Sequence, residues 1–182
     1  MKIIKQSKLL STAILLGVIL LPQTVFAESK LYIGGNLGIS TLEPRVVDGS
    51  VDDDSDTAYK LYAGYNVGTK NHFSIEAFYA DMGAAHIKTP TTQGNVDYKL
   101  YGAGVVYNKP FNKKLSGFGK LGFAGVDNDA KSSITIRQIE SNVIYSGLGV
   151  EYSLNIKLSA RVEYEYFDKD IQLLSAGLRW SF

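Results

Sequence analysis

From Leu31 to the C-terminus the chain runs in segments where apolar and polar side chains alternate, and that alternation predicts its elements. Between Ile156 and Phe167, residues Ala160, Val162, Tyr164 and Tyr166 share one face of an extended strand, and Arg161, Glu163 and Glu165 share the other, because successive strand side chains point to opposite sides. Within Gln172 to Phe182, Leu174, Ala176, Leu178, Trp180 and Phe182 lie opposite Ser175, Gly177, Arg179 and Ser181. Tyr59, Leu61, Ala63, Tyr65 and Val67 likewise oppose Lys60, Tyr62, Gly64 and Asn66. The same period predicts eight strands: Leu31 to Ile39, Thr57 to Val67, His72 to Met82, Val96 to Tyr107, Leu115 to Val126, Asn142 to Tyr152, Ile156 to Phe167 and Gln172 to Phe182. Each approaches the ~9 to 11 residues that a tilted strand needs to cross a bilayer.

The connections alternate in length. Short ones follow the second, fourth and sixth strands at Gly68 to Asn71, Asn108 to Lys114 and Ser153 to Asn155; longer ones cover Ser40 to Asp56, Gly83 to Asn95 and Asp127 to Ser141, with a brief Asp168 to Ile171 last. Tight turns at one end and longer loops at the other are expected of an antiparallel up-and-down barrel in an outer membrane, the tight end being periplasmic. A soluble barrel would show the same two faces, so aromatic placement decides between them. Tyr65, Phe73, Tyr152, Trp180 and Phe182 fall near the tight-turn ends of the apolar face, and Tyr59, Tyr79, Tyr98, Tyr164 and Tyr166 near the loop ends. Small and aliphatic residues, among them Ala63, Ile75, Ala77, Gly102, Leu148 and Val162, lie between them. Two aromatic girdles around an apolar band suit two membrane interfaces. The fold expected is therefore all-β, an eight-stranded transmembrane barrel.

The start of the chain reads differently. Lys2, Lys5 and Lys8 precede an apolar run from Leu9 to Leu21, then Pro22 and Val25-Phe26-Ala27, the order of a signal peptide cleaved after Ala27. Removing residues 1–27 of the 182 leaves 155 for one barrel domain over residues 28–182. The formal charge then falls from +1 to −2, which gives no footprint for nucleic acid. There is no cysteine, hence no disulfide or thiolate chemistry.

Two stretches carry a family resemblance. Tyr59 to Tyr65, followed after the turn by Ser74 to Gly83, resembles the second and third strands of the OmpA-like outer membrane β-barrel family. Arg161 to Phe167 with Leu174 to Phe182 resembles that family's last hairpin. The resemblance implies an outer-membrane location, contact with its lipids and lipopolysaccharide, and Trp180 and Phe182 as the signal read by the barrel-assembly machinery. It also implies the transmembrane part alone, since the peptidoglycan-binding domain of full-length OmpA proteins has no counterpart up to Phe182.

By parity the inward faces carry Lys60, Lys99, Lys120, Arg161 and Arg179 against Glu76, Glu151, Glu163 and Glu165, with Asp97 near a rim. A lumen of eight strands is just wide enough for side chains to fill, so these charges are expected to pair and plug it. Partner exchange among them would instead make a narrow gated channel. His72, Ser74 and Glu76 share a face and resemble the His-x-Ser element of lipid A deacylases, but they point inward at the tight-turn end, away from outer-leaflet lipid, so no catalytic residue is assigned. His86 has no second His or Cys for a closed metal site. Asp52 to Asp56 lacks the glycine and distant glutamate of an EF-hand loop, so it reads as a solvated loop, with weak bridging of divalent ions to lipopolysaccharide as the lesser reading. No cofactor is expected. The function expected is non-enzymatic: envelope integrity and surface loops presented to a host or environmental ligand.

Overall fold

The structure, a computed structural model, describes residues 30–42, 50–53, 55–67, 72–88, 93–130, 142–168 and 171–182. The expected signal segment lies outside the described residues. The strands are β1 (Leu31–Leu42), β2 (Ser50–Asp53), β3 (Ser55–Val67), β4 (Phe73–Lys88), β5 (Gln93–Pro110), β6 (Leu115–Ala130), β7 (Asn142–Ser153), β8 (Leu158–Asp168) and β9 (Ile171–Ser181). β2 is a short segment paired to the far end of β4. The other eight close a ring in which every neighbour is antiparallel: β1 pairs with β3 on one side and β9 on the other, and the rest pair in chain order. Among the described residues each strand of the ring is paired on both sides within the barrel wall, as a membrane-spanning sheet requires.

The alternation shows in burial. Along β3 each residue from Thr57 to Val67 is exposed or buried in strict turn, and the outward face is apolar. Leu37, Leu121, Phe123, Ile144 and Leu148 are between 62 and 70% exposed, an apolar belt far larger than a protein surrounded by water leaves bare. Its girdles contain Tyr65, Phe73, Tyr107, Tyr152 and Trp180 at one end and Tyr59, Tyr79, Tyr101, Tyr164 and Tyr166 at the other.

The strand Tyr98 to Tyr107 faces opposite to the expected way. Tyr98 is buried inside, whereas Tyr101, Val105 and Tyr107 face out, so Tyr98 and Gly102 leave the outer surface and Lys99, with Asp97, leaves the lumen. The reason is space. A Cβ on Gly102 would meet the Phe78 ring at 2.8 Å, and one on Gly104 the Tyr145 hydroxyl at 2.7 Å, so this strand's bare positions must face the crowded interior.

β4, β5 and β6 run further toward the loop end than the alternation predicts, since a backbone ladder continues in water without apolar side chains. Much of Gly83 to Asn95 is therefore strand, as are Asp52 and Asp53. A bulge in β4 between Asp81 and Ala84 contains Gly83 at φ 75°, a left-handed conformation that favours glycine. Asp56 fastens it: Ala84 N donates to Asp56 Oδ2 at 2.7 Å, and Thr57 N to Asp56 Oδ1 at 2.6 Å. Asp56 is thus a structural acceptor.

At the other end, two turns share one design. In 111–114, Lys114 N and Leu115 N donate to Asn112 Oδ1 at 2.8 and 2.9 Å. In 154–157, Lys157 N and Leu158 N donate to Asn155 Oδ1, both at 2.8 Å. The asparagine amide oxygen takes the place of a backbone acceptor. Asn112→Ala and Asn155→Ala should each lower the stability of the refolded barrel by about 1 kcal/mol, read as a lower urea midpoint; an unchanged midpoint in both would mean the side chains only follow the turn.

Candidate functional site in the barrel interior

The inward positions of β8, Arg161, Glu163 and Glu165, follow from its strict alternation and set three charges in a column. β3 supplies Lys60, β4 Glu76 and β6 Lys120. All six are at most 5% exposed, and they balance at three cations and three anions. Lys120 Nζ lies 2.7 Å from Glu76 Oε1, 2.6 Å from Glu163 Oε2 and 3.2 Å from Glu165 Oε1. Lys60 pairs with Glu163 and Glu165. Arg161 Nη1 donates to Glu76 Oε2 at 3.0 Å, and its Nε lies 3.2 Å from Glu163 Oε2. Tyr32 Oη donates to Glu76 Oε2 at 3.0 Å and Asn36 Nδ2 to Glu163 Oε1 at 2.8 Å.

β4 and β8 stand four strands apart in either direction around the ring, so the Arg161–Glu76 contact crosses the lumen from wall to wall. The cations also rest on aromatic faces. The Arg161 guanidinium carbon is 4.1 Å from the Phe118 ring centre and 4.7 Å from that of Tyr62, an attraction that strengthens once water is excluded. Tyr32 and Tyr62 fit beside each other because their cross-strand partners are glycines: a Cβ on Gly64 would meet the Tyr32 ring at 2.2 Å, and one on Gly34 the Tyr62 ring at the same distance.

Toward the loop end the lumen is apolar, a layer that the reading of the inner face as a charge network overlooks. Phe78, Tyr145 and Phe167 pack together with ring centres 5.1 to 5.6 Å apart, among Leu100, Ala124, Val126, Val143, Ile171 and Leu173. Phe167 was available from the sequence, since it continues the parity of Arg161, Glu163 and Glu165.

Toward the tight turns, Arg179 Nη1 donates to Glu151 Oε2 at 2.9 Å, separate from the central six. This pair borders a polar mouth of about 230 Å³ lined by Asn66, His72, Asn108, Ser116 and others. Of the nine charges expected inside, the structure joins Lys60, Glu76, Lys120, Arg161, Glu163 and Glu165 in one cluster and Glu151 with Arg179 in a second. Lys99 is outside, between Asp81 and Asp127 in the ladder.

His72, Ser74 and Glu76 form no relay. Ser74 Oγ donates to Asn66 Oδ1 at 2.8 Å, the His72 Nδ1 is 3.2 Å from the Asn108 carbonyl oxygen, and the Glu76 carboxylate is held by Tyr32, Lys120 and Arg161. A serine nucleophile requires a base within hydrogen-bond reach and an acid orienting that base. Among the described residues no group of three or more His, Cys, Asp or Glu side chains is arranged to hold a metal.

The profile of a family described as the outer membrane protein beta-barrel domain matches residues 11–182. This chain belongs to that family. Comparison with curated protein sequences gives no match. Among solved structures the barrel domain is similar to Neisserial surface protein A, with a TM-score of 0.54 and 18% identity over 85% of this chain and 98% of that one. It is also similar to the N-terminal beta-barrel domain of Pseudomonas aeruginosa OprF, with a TM-score of 0.53 and 15% identity over 85% and 98%. At such identities the likeness is one of fold.

Removing one member of a buried ion cluster strands its partners at a cost of about 3 to 5 kcal/mol. Lys60→Met should therefore lower barrel stability by about that amount, and Lys60→Met/Glu165→Leu, which restores charge balance, should recover most of it. Urea unfolding of the refolded proteins measures both; additive losses would mean that the charges do not act as a unit.

Proposed function

We propose that this protein is a non-enzymatic barrel of the outer membrane whose sealed interior makes it a rigid carrier for the connections at its loop end. Those connections serve recognition or adhesion, and the barrel itself supports envelope integrity. The observation that carries the reading is the Arg161–Glu76 contact across the lumen. Below it lie aromatic rings and the Glu151–Arg179 pair, and above it the Phe78, Tyr145 and Phe167 layer. An ion would have to displace several buried and paired groups to pass. The engagement of Ser74 with Asn66, rather than with His72, supports the absence of catalysis.

In this reading residues 1–27 direct export and are removed after Ala27, the tight turns lie in the periplasm, and Trp180 and Phe182 serve the barrel-assembly machinery. Outer-membrane lipids and lipopolysaccharide surround the belt, and a host or environmental ligand is met by the loops.

Refolded protein in planar bilayers should give no reproducible conductance step. A step that is abolished by charge reversal at Arg161 or Arg179 would establish the narrow gated channel instead. Lipid A from cells carrying the wild type or Ser74→Ala should have the same mass; a change present only with the wild type would reinstate the deacylase.

A further inference from the structure

The outer surface over β5, β6 and β7 is interrupted near the tight-turn end by a groove of about 330 Å³, bounded by Tyr107, Lys109, Phe111 and Val150. Its floor is backbone, because Gly117 and Gly119 occupy the outward positions of β6 there. The Phe111 ring folds back over Gly117, where a Cβ would meet it at 2.7 Å, and so forms one wall. At Gly119 the nearest atom to such a Cβ is the Gly147 carbonyl oxygen at 3.9 Å, so the floor is open. Further along the same strands the outward positions hold Leu121, Phe123 and Leu148, all more than 60% exposed. The groove is thus a local gap in the apolar belt.

Lys109 lines one end of this gap, and Lys113 and Lys114 lie in the adjoining turn, 111–114. Lys109, Lys113 and Lys114 are exposed, and the stretch from Tyr107 to Gly119 contains no acidic residue. Ser153 N donates to the Lys114 carbonyl oxygen at 2.8 Å, which holds the lysine-bearing turn beside the end of β7. The nearby carboxylate of β7, Glu151, is turned into the lumen toward Arg179 and does not neutralise the three cations.

An apolar trough lined at one end by Lys109, with Lys113 and Lys114 on the adjoining turn, matches a molecule with a hydrocarbon tail and a negatively charged head. We propose that the groove binds one anionic phospholipid of the periplasmic leaflet, with an acyl chain over Gly119 beside the Phe111 ring and its phosphate among Lys109, Lys113 and Lys114. Basic residues at a membrane surface attract anionic headgroups, and the bare floor lets a chain pack closely against the barrel wall. The proposal rests on the membrane orientation given under Proposed function.

The full chain, refolded into nanodiscs of equimolar phosphatidylcholine and phosphatidylglycerol, is released into the gas phase and its lipid adducts are weighed. Phosphatidylglycerol adducts should exceed phosphatidylcholine adducts by about fivefold or more. Lys109→Gln/Lys113→Gln/Lys114→Gln should abolish that preference, the corresponding triple arginine variant should retain it, and Lys99→Gln, at the other end of the barrel, should leave it unchanged. Gly119→Leu, whose Cβ would meet nothing nearer than 3.9 Å and whose side chain would occupy the floor, should reduce adducts of both lipids. Heat-dependent gel mobility verifies folding of each variant. Equal adducts on a folded wild type, or an undiminished preference in the triple glutamine variant, would overturn the site while leaving the barrel reading intact. So would a dimer dissolved by Gly119→Leu, because the groove would then hold a second copy. A wild type that fails to insert would overturn the barrel reading and the site together.

Discussion

Arg161 and Glu76 meet in the middle of a ring of eight strands, and the interior is arranged around that meeting. A guanidinium and a carboxylate removed from water are each expensive to keep charged. Their mutual contact, the flanking Lys120, Lys60, Glu163 and Glu165, and the hydroxyl of Tyr32 together replace the lost hydration. Each of these groups comes from a strand wall, and a ring of eight strands is narrow enough for them to meet across it. The rings of Phe118 and Tyr62 lie against the guanidinium, and their bulk is admitted by glycines at facing positions. Charge, ring and glycine are three parts of one packing solution.

The outer face obeys a different requirement. Surrounded by hydrocarbon, it needs no complementary partner, only an apolar surface with amphipathic rings at both margins. Its few departures from that rule are therefore informative. Lys99 stands among Asp81 and Asp127 at the loop-side margin, where the belt ends and charges return. The bare positions of β6 next to Lys109 have no comparable role in holding the wall together.

The sequence exposed the fold wherever its two faces differ sharply in polarity. Arg161, Glu163 and Glu165 against Val162, Tyr164 and Tyr166 admit only one orientation, and β8 with β9 could be read directly. From Tyr98 to Tyr107 both parities hold tyrosine, small residues and valine, so no contrast marks the inside; the deciding factor is the room needed by Phe78 and Tyr145 on other strands, which a single strand does not reveal. The same limit applies to the site. The charges of the central cluster could be named from parity, but the split into six and two, and the apolar layer above them, depend on how residues far apart in sequence are stacked along the axis. Strand ends toward the loops were hidden because a ladder in water carries no hydrophobic signal.

The bulge at Gly83 shifts the register within the β4–β5 hairpin on the loop side of the wall. Two residues of β4 oppose one of β5 there, so beyond it the alternation of β4 is offset from its alternation in the barrel. Asp56 clamps this offset from the neighbouring strand. Beyond it the outer part of β4 is still laddered to β2, Ser50 opposite Lys88, and β5 to β6, Val96 opposite Ala130. β4 thereby continues past the clamp with its two parities exchanged, while its ladder to β5 runs on unbroken from Ala84 to Lys88.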